Sequence, residues 1–311
     1  MNLSMRDAFL NELYNIARED RRVILISNDF GAPSLDKFRE DCASQFIHIG
    51  IAEQNMVNVA TGLALAGKIV YMYSIAPFLP LRCYEQLRVH LAFKRYHITG
   101  VVVGAGYSYD LSGPTHHALE DIAVMNALPG MTILNASDSV MGAAFARMTY
   151  ENPGPKYVRF DREIFPSIYN AQKDVFSDGL SILKKGRDLS IIATGIMVHQ
   201  AFKVADGLAR HSIDAGIVDL YRIKPLHEEL LLRTIPKSRR VITMEENFIN
   251  GGIGSIISAL ITDRGENIKL SRFGVPDEYF SQGGGREQLH LLCGLDVASI
   301  TKTTLSWLGV K

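Results

Sequence analysis

Glu53-Gln-Asn-Met-Val-Asn-Val-Ala-Thr-Gly-Leu-Ala-Leu-Ala66, followed at once by Gly-Lys-Ile69-Val-Tyr-Met-Tyr73, decides the architecture of this chain. Across Glu53–Ala66 the apolar residues Met56, Val59, Ala60 and Leu63 recur at the helical period and share one face. At Ile69–Tyr73 the period is replaced by a short, unbroken apolar run, as expected of a strand covered on both faces. A helix that hands over within one turn to such a strand is half of a βαβ unit, the building block of parallel sheets.

The same alternation continues in both directions. Met5–Arg18 reads as an amphipathic helix and Val23–Ile26 as a buried strand. A helix follows at Leu81–Lys94, then strand Ile98–Val103, helix Leu119–Leu128, strand Met131–Leu134, helix Ser139–Tyr150 and strand Tyr157–Phe160. From Asp161 to Asp188 the rhythm stops, with Pro166 and the polar stretch Asn170–Asp174, which reads as a linker. Alternation then resumes with strand Leu189–Ala193, helix Met197–Arg210, strands Ile213–Val218 and Val241–Met244, helix Gly254–Thr262 and strand Ile268–Arg272. The expected fold class is α/β, with two consecutive domains (1–165 and 189–311), mostly parallel sheets, and a linker at 166–188.

Composition narrows the function. The 311 residues are 47% hydrophobic and 21% charged, ordinary for a soluble globular protein. Lys+Arg and Asp+Glu both total 33, so no net field draws in nucleic acid or a membrane surface. No apolar stretch approaches the roughly 20 residues of a membrane span, and Met1–Asp7 lacks the layout of a signal peptide. Cys42, Cys83 and Cys293 are too far apart in sequence for a metal-ligand pattern and suit a reducing cytoplasm.

Four local signals could carry chemistry. In Gly50-Ile-Ala-Glu-Gln-Asn55, Glu53 opens an apolar helix; alone, it reads as an acid facing a helix dipole. Tyr73–Arg88 supplies prolines and the aromatics Phe78 and Tyr84, which suit either a core or a flat-ring pocket. Ser112-Gly-Pro-Thr-His-His117 lies in a turn-rich loop beyond a strand, where α/β proteins place their sites. Its two histidines have no carboxylate or cysteine at ligand spacing, so they suit proton transfer or hydrogen bonding better than a metal. Asn250-Gly-Gly-Ile-Gly-Ser255 lacks the complete dinucleotide fingerprint, and its glycines read as tight strand-to-helix packing.

In this order, the segments resemble the transketolase family of thiamine diphosphate enzymes. Gly50-x-x-Glu-Gln54, the aromatic segment, Gly113-Pro-Thr-His116, Glu120-Asp-Ile-Ala123 and Leu128-Pro-Gly-Met-Thr-Ile133 carry the likeness. Ile223-Lys-Pro-Leu226, Glu245-Glu246, Gly251-Gly-Ile-Gly-Ser255 and Phe273-Gly-Val-Pro-Asp277 extend it over nearly the whole chain. The resemblance implies a pyrimidine-binding domain followed by the transketolase carboxy-terminal domain. The family's metal-anchoring Gly-Asp-Gly does not occur in the sequence; Ser177-Asp-Gly179 and Ala205-Asp-Gly207 lack the first glycine. The resemblance therefore implies a split enzyme in which a separate amino-terminal subunit holds the diphosphate and Mg2+. This chain would hold no metal and would assemble with that subunit as a heterotetramer.

The resemblance also implies roles. Glu53 would activate the cofactor by sharing a proton with its aminopyrimidine, Phe78 and Tyr84 would wall that ring, and Asp29 would stand close by. His116 would face the substrate with His117 beside it. Arg6, Ser34 and Arg162 would hold a sugar phosphate, arginine by its fixed donor fork; alone, each reads equally as a solvated surface group. Gly104 and Ser112 stand where many transketolases carry histidine and aspartate, although Asp110 could partly substitute, so the acceptor could be phosphorylated or nucleotide-linked. The expected reaction moves a two-carbon ketol unit from a ketose to an aldose. The alternatives are a deoxyxylulose-phosphate-synthase-like half, the β subunit of a 2-oxoacid dehydrogenase decarboxylating component, and a non-catalytic scaffold subunit.

Overall fold

A computed structural model describes residues 3–28, 31–281 and 283–310. The chain divides into two compact units: residues 1–105 with 124–175, and residues 106–123 with 176–311. In the first unit the elements are α1 (Met5–Glu19), β1 (Val23–Ser27), α2 (Ser34–Asp41), β2 (Phe46–His48), α3 (Glu53–Leu65) and β3 (Ile69–Ile75). They continue with α4 (Phe78–Arg82), α5 (Tyr84–Gln86), a wide π-type helical turn at Leu87–Ala92 and β4 (Ile98–Val103). The excursion into the second unit ends within α6 (Asp121–Asn126), and β5 (Thr132–Asn135), α7 (Ser139–Glu151) and β6 (Lys156–Phe160) follow. The six strands are parallel throughout, in the order β5-β6-β4-β3-β1-β2. β1, β4 and β6 are buried along their whole length, which explains the apolar runs of β1 and β4, while β6 also buries Lys156 and Arg159.

The second unit contains β7 (Ser181–Lys184), β8 (Leu189–Ala193), α8 (Met197–Ala209), β9 (Ala215–Asp219), β10 (Arg222–Lys224) and α9 (Glu228–Arg233). β11 (Arg240–Phe248), α10 (Ile253–Asp263), β12 (Lys269–Val275), α11 (Gly285–Cys293) and α12 (Val297–Leu308) complete it. Its sheet runs β12-β11-β8-β9-β7, with β7 alone antiparallel. Two α/β domains with mostly parallel sheets are thus observed as expected. Among the described residues, no helix is long and apolar enough to cross a membrane.

Several boundaries differ from expectation. The segment expected to be irregular contains β7, and its earlier part is pinned where Ile168 and Tyr169 donate their N–H groups to Asp138 Oδ2 at 2.7 and 2.9 Å. The expected helix at 81–94 starts at Phe78 and is interrupted at Cys83. The expected helix at 119–128 shrinks to Asp121–Asn126, because Leu119 uses its carbonyl to accept Phe248 N–H at 2.8 Å. On α3 the buried stripe is Met56, Val57, Ala60 and Thr61, whereas Val59 and Leu63 remain half-exposed.

The Gly-Gly-Ile-Gly segment is explained by close packing. Glu245 accepts Ile253 N–H at 2.7 Å and Gly254 N–H at 2.9 Å, so the α10 N-terminus is already satisfied by a carboxylate. A Cβ on Gly252 would stand 1.9 Å from Glu245 Oε2.

Close approach also governs α1 against α7. A Cβ on Gly142 of α7 would lie 2.5 Å from the Met5 carbonyl oxygen, which is backbone and has little freedom to yield. Alanine would gain about 1 kcal/mol of helix propensity, but overpacking typically costs about 1–3 kcal/mol. Gly142→Ala is therefore expected to lower the melting temperature by a few degrees; a variant that melts higher in calorimetry would show that α1 can slide.

Candidate active site

Glu53 is the first residue of α3, and its side chain is only 4% exposed. Arg82, at the end of α4, donates from Nη1 to Glu53 Oε2 at 2.7 Å. The same guanidinium lies 4.5 Å from the centroid of the Phe78 ring. Gln54 Nε2 ties the arrangement down by donating to the Arg82 carbonyl at 3.1 Å. Glu53 and Phe78 therefore both engage one flat, nitrogen-bearing group, the carboxylate by a hydrogen bond and the aromatic ring by lying under its central carbon. Adjacent Cys83 is a poor nucleophile: burial, helped by the Glu53 charge, pushes its thiol up to about 12. Tyr84 is half-buried at the head of α5, two residues beyond Arg82.

The loop that leads into α3 is held from β1. Asn28, just past the strand end, is buried and donates from Nδ2 to the Gly50 carbonyl at 3.2 Å. Its Oδ1 is buried with no hydrogen-bond partner among the described residues. Asp29, expected near the cofactor, lies outside the described residues.

Arg6 and Ser34 are brought together by a residue that carries no signal in the sequence. Asp7 accepts from Arg6 Nη2 at 2.9 Å, from Ser34 Oγ at 2.8 Å and from Ser4 Oγ at 2.6 Å. Burial pushes the Asp7 carboxyl up, but the bonds from Arg6, Ser4 and Ser34 prevail and hold it below its ordinary value. An anionic ligand at Arg6 and Ser34 would thus meet a carboxylate already engaged there. Arg162 is exposed on the segment after β6.

His116 and His117 belong to the second unit, because residues 106–123 pack with it. The loop opens and closes on a bridge between Gly106 and Ala118. His117 is 3% exposed and packs edge-on against Tyr107, with ring centroids 4.8 Å apart. Its Nε2 donates to the Asp110 carbonyl at 3.4 Å, and burial holds its pKa below the usual histidine value, so it stays neutral at pH 7. His116 is half-exposed, with Nδ1 2.9 Å from Thr115 Oγ1. Of the adjacent pair, His116 is the one with access to a ligand, while His117 supports the loop.

Among the described residues, no group of three or more His, Cys, Asp or Glu could hold a metal ion. The Glu53–Phe78 pair has the chemistry to engage a flat nitrogen base.

Comparison with known proteins completes the description. Residues 1–167 match the family model for the transketolase pyrimidine-binding domain, and residues 179–300 match the transketolase carboxy-terminal domain. A subunit of the apulose-4-phosphate transketolase of Phocaeicola vulgatus is 32% identical over 307 residues, covering 98% of this chain and 97% of its own length. The 6-deoxy-6-sulfo-D-fructose transketolase subunit SqwH of Clostridium sp. is 33% identical over 303 residues, covering 96% of this chain and 92% of its own. A solved structure described as a split-gene transketolase in an inactive β4 tetramer superposes with a TM-score of 0.88 at 27% identity, over 99% of each chain.

Proposed function

The chain belongs to the transketolase family, as the carboxy-terminal half of a split enzyme, and on that premise we propose that it completes an active site with an amino-terminal subunit. The joint enzyme transfers a two-carbon ketol unit from a ketose to an aldose. The family is thiamine diphosphate-dependent; when bound, that cofactor supplies the thiazolium ring through which a ketose carbon–carbon bond is broken and remade. The observation that supports the reading is Glu53 and Phe78 converging on the Arg82 guanidinium, a planar group hydrogen-bonded to the carboxylate and lying over the aromatic ring. An aminopyrimidine ring needs the same two contacts. Glu53 would share a proton with the ring nitrogen, the α3 backbone would keep the carboxyl in place, and Arg82 is the side chain that would have to yield to the ligand.

Diphosphate and Mg2+ are assigned to the partner chain, because this one carries neither Gly-Asp-Gly nor a metal-ligating cluster among its described residues. The half-exposed Val59 and Leu63 on α3, with Ile51 and Phe93 exposed, offer apolar surface for that partner. Two copies of each subunit in a closed two-fold heterotetramer would supply two sites. The names of the two relatives point to ketoses with an anionic terminus, a phosphate in one and a sulfonate in the other. We assign such a terminus to Arg6, Ser34 and Arg162, and separately assign His116 a substrate-facing role.

The purified chain alone is expected to show no ketol transfer and only weak thiamine diphosphate binding in titration calorimetry with Mg2+. Mixing with the partner subunit should restore both. Tight, Mg2+-dependent binding by this chain alone would place the diphosphate site here and sink the split-site reading.

A further inference from the structure

One buried carboxylate has no part in the chemistry above. Glu246 lies near the end of β11, 5% exposed and next in sequence to Glu245, whose oxygens are occupied by the α10 N-terminus. Burial pushes the Glu246 carboxyl up, but the Arg286 charge and the bonds from Arg286 and His290 outweigh it, keeping the group ionised. Arg286 grips both oxygens, Nε to Oε1 at 2.8 Å and Nη2 to Oε2 at 2.5 Å, and His290 Nε2 contacts Oε1. Both partners come from α11, so the charge could be satisfied within the helix–sheet layer alone.

A fourth bond takes it beyond that layer. Tyr107 N–H, 139 residues away in sequence, donates to Glu246 Oε2 at 2.9 Å. The preceding Gly106 has φ +60, and a Cβ there would stand 2.0 Å from the same oxygen, so the loop backbone rests against the carboxylate where only glycine fits. Asp110 returns the grip from the loop side, its Oδ2 accepting Arg286 N–H at 2.9 Å in the first turn of α11. At the loop's far end, Asn247 Nδ2 donates to the Leu119 carbonyl at 3.0 Å and to Asp121 Oδ1 at 2.9 Å, while Phe248 N–H reaches the Leu119 carbonyl. Three consecutive residues of β11 thus hold both ends of the segment that carries His116.

We propose that Glu246 is a positioning residue for the reaction: it clasps the histidine loop to the carboxy-terminal domain, which serves as the template that fixes where His116 presents its ring. The proposal rests on the reading of His116 as a substrate-facing group. A buried ion pair is weak evidence for a stabilising role, since desolvation offsets most of its attraction. What this one gives is geometry, because its fourth ligand is loop backbone.

Two variants separate geometry from folding. Glu246→Gln keeps the shape and removes the charge. Glu246→Asp keeps the charge opposite Arg286 and withdraws the oxygens from Tyr107 by one methylene, so it preserves the fold if the first variant does not. In hydrogen exchange on the isolated chain, amides of residues 107–118 should exchange roughly 10-fold faster in either variant, with β8 and α8 unchanged. In the complex with its partner subunit, kcat should fall roughly 10-fold or more while thiamine diphosphate affinity holds, and in a His116→Ala background either Glu246 variant should bring little further loss. Unchanged loop exchange in both variants overturns the clasp. Faster exchange with unaltered kcat, where His116→Ala itself lowers kcat, overturns the positioning role. A silent His116→Ala sinks the reading of the loop as part of the active site, and with it the catalytic half of this proposal.

Discussion

Glu53→Gln, in the complex reconstituted with the partner subunit, is expected to lower ketol transfer by roughly 10²–10⁴-fold, the range for a lost proton-transfer group. The fold should survive. Glutamine keeps the side-chain length, and its amide oxygen can still accept from Arg82 Nη1, now 2.7 Å from Glu53 Oε2. Because the Arg82 side chain is 44% exposed, losing the charge opposite it costs under about 1 kcal/mol. A 10³-fold loss of rate corresponds to about 4 kcal/mol, so the chemical effect dominates and the two are separable. What the amide cannot do is share a proton with a ring nitrogen. Proton–deuterium exchange at the thiazolium carbon of bound cofactor reads that function directly, and affinity should change far less. If exchange in the variant matches the wild type, Glu53 is a helix-terminal acid paired with Arg82 and nothing more.

The fold was legible where burial on two faces leaves a continuous apolar run. Val23–Ile26, Ile69–Tyr73, Ile98–Val103 and Leu189–Ala193 all became central parallel strands. It was illegible where an element has little to bury. α2 carries five charged residues in eight and buries only Ser34, Leu35 and Phe38, too few positions to show a period. β7, an edge strand with alternating burial, pairs antiparallel with β9 and so resembles the polar segment around it. On α3 the helical period was correct, but the assignment of its buried face was not: one monomer's core takes Val57 and Thr61 and leaves Val59 and Leu63 half-exposed. Periodicity reports apolar faces without saying what covers them.

The site divides in the same way. Glu53, Phe78 and the two histidines stand in contiguous motifs, so a resemblance could name them. Arg82, Asp7 and Glu246 are defined by partners that only folding supplies. Glu53 meets Arg82 across 29 residues, Asp7 meets Ser34 across 27, and Glu246 meets Tyr107 across 139. Glu245 and Glu246 look equivalent as a dipeptide. The fold gives their side chains different partners, one the α10 N-terminus and the other the histidine loop.

His116→Ala should reduce kcat by roughly 10²–10⁴-fold while leaving cofactor affinity nearly unchanged. The asymmetry follows from placement. Glu53 and Phe78, assigned to the cofactor ring, lie in the first unit, whereas His116 sits on a loop built on the second. The neighbouring histidine is the internal control. His117 is buried against Tyr107, and removing its ring leaves a cavity, so His117→Ala should lower the melting temperature as well as the rate. His116 is half-exposed, and its ring meets the Thr115 hydroxyl and, edge-on at 6.1 Å, Tyr109, so its loss should scarcely move the melting temperature. Steady-state kinetics on the reconstituted complex, read beside calorimetry of each variant, distinguish the two histidines. Should His116→Ala turn over like the wild type while His117→Ala melts low, the pair is loop architecture, and the proton carrier must be sought on the partner subunit.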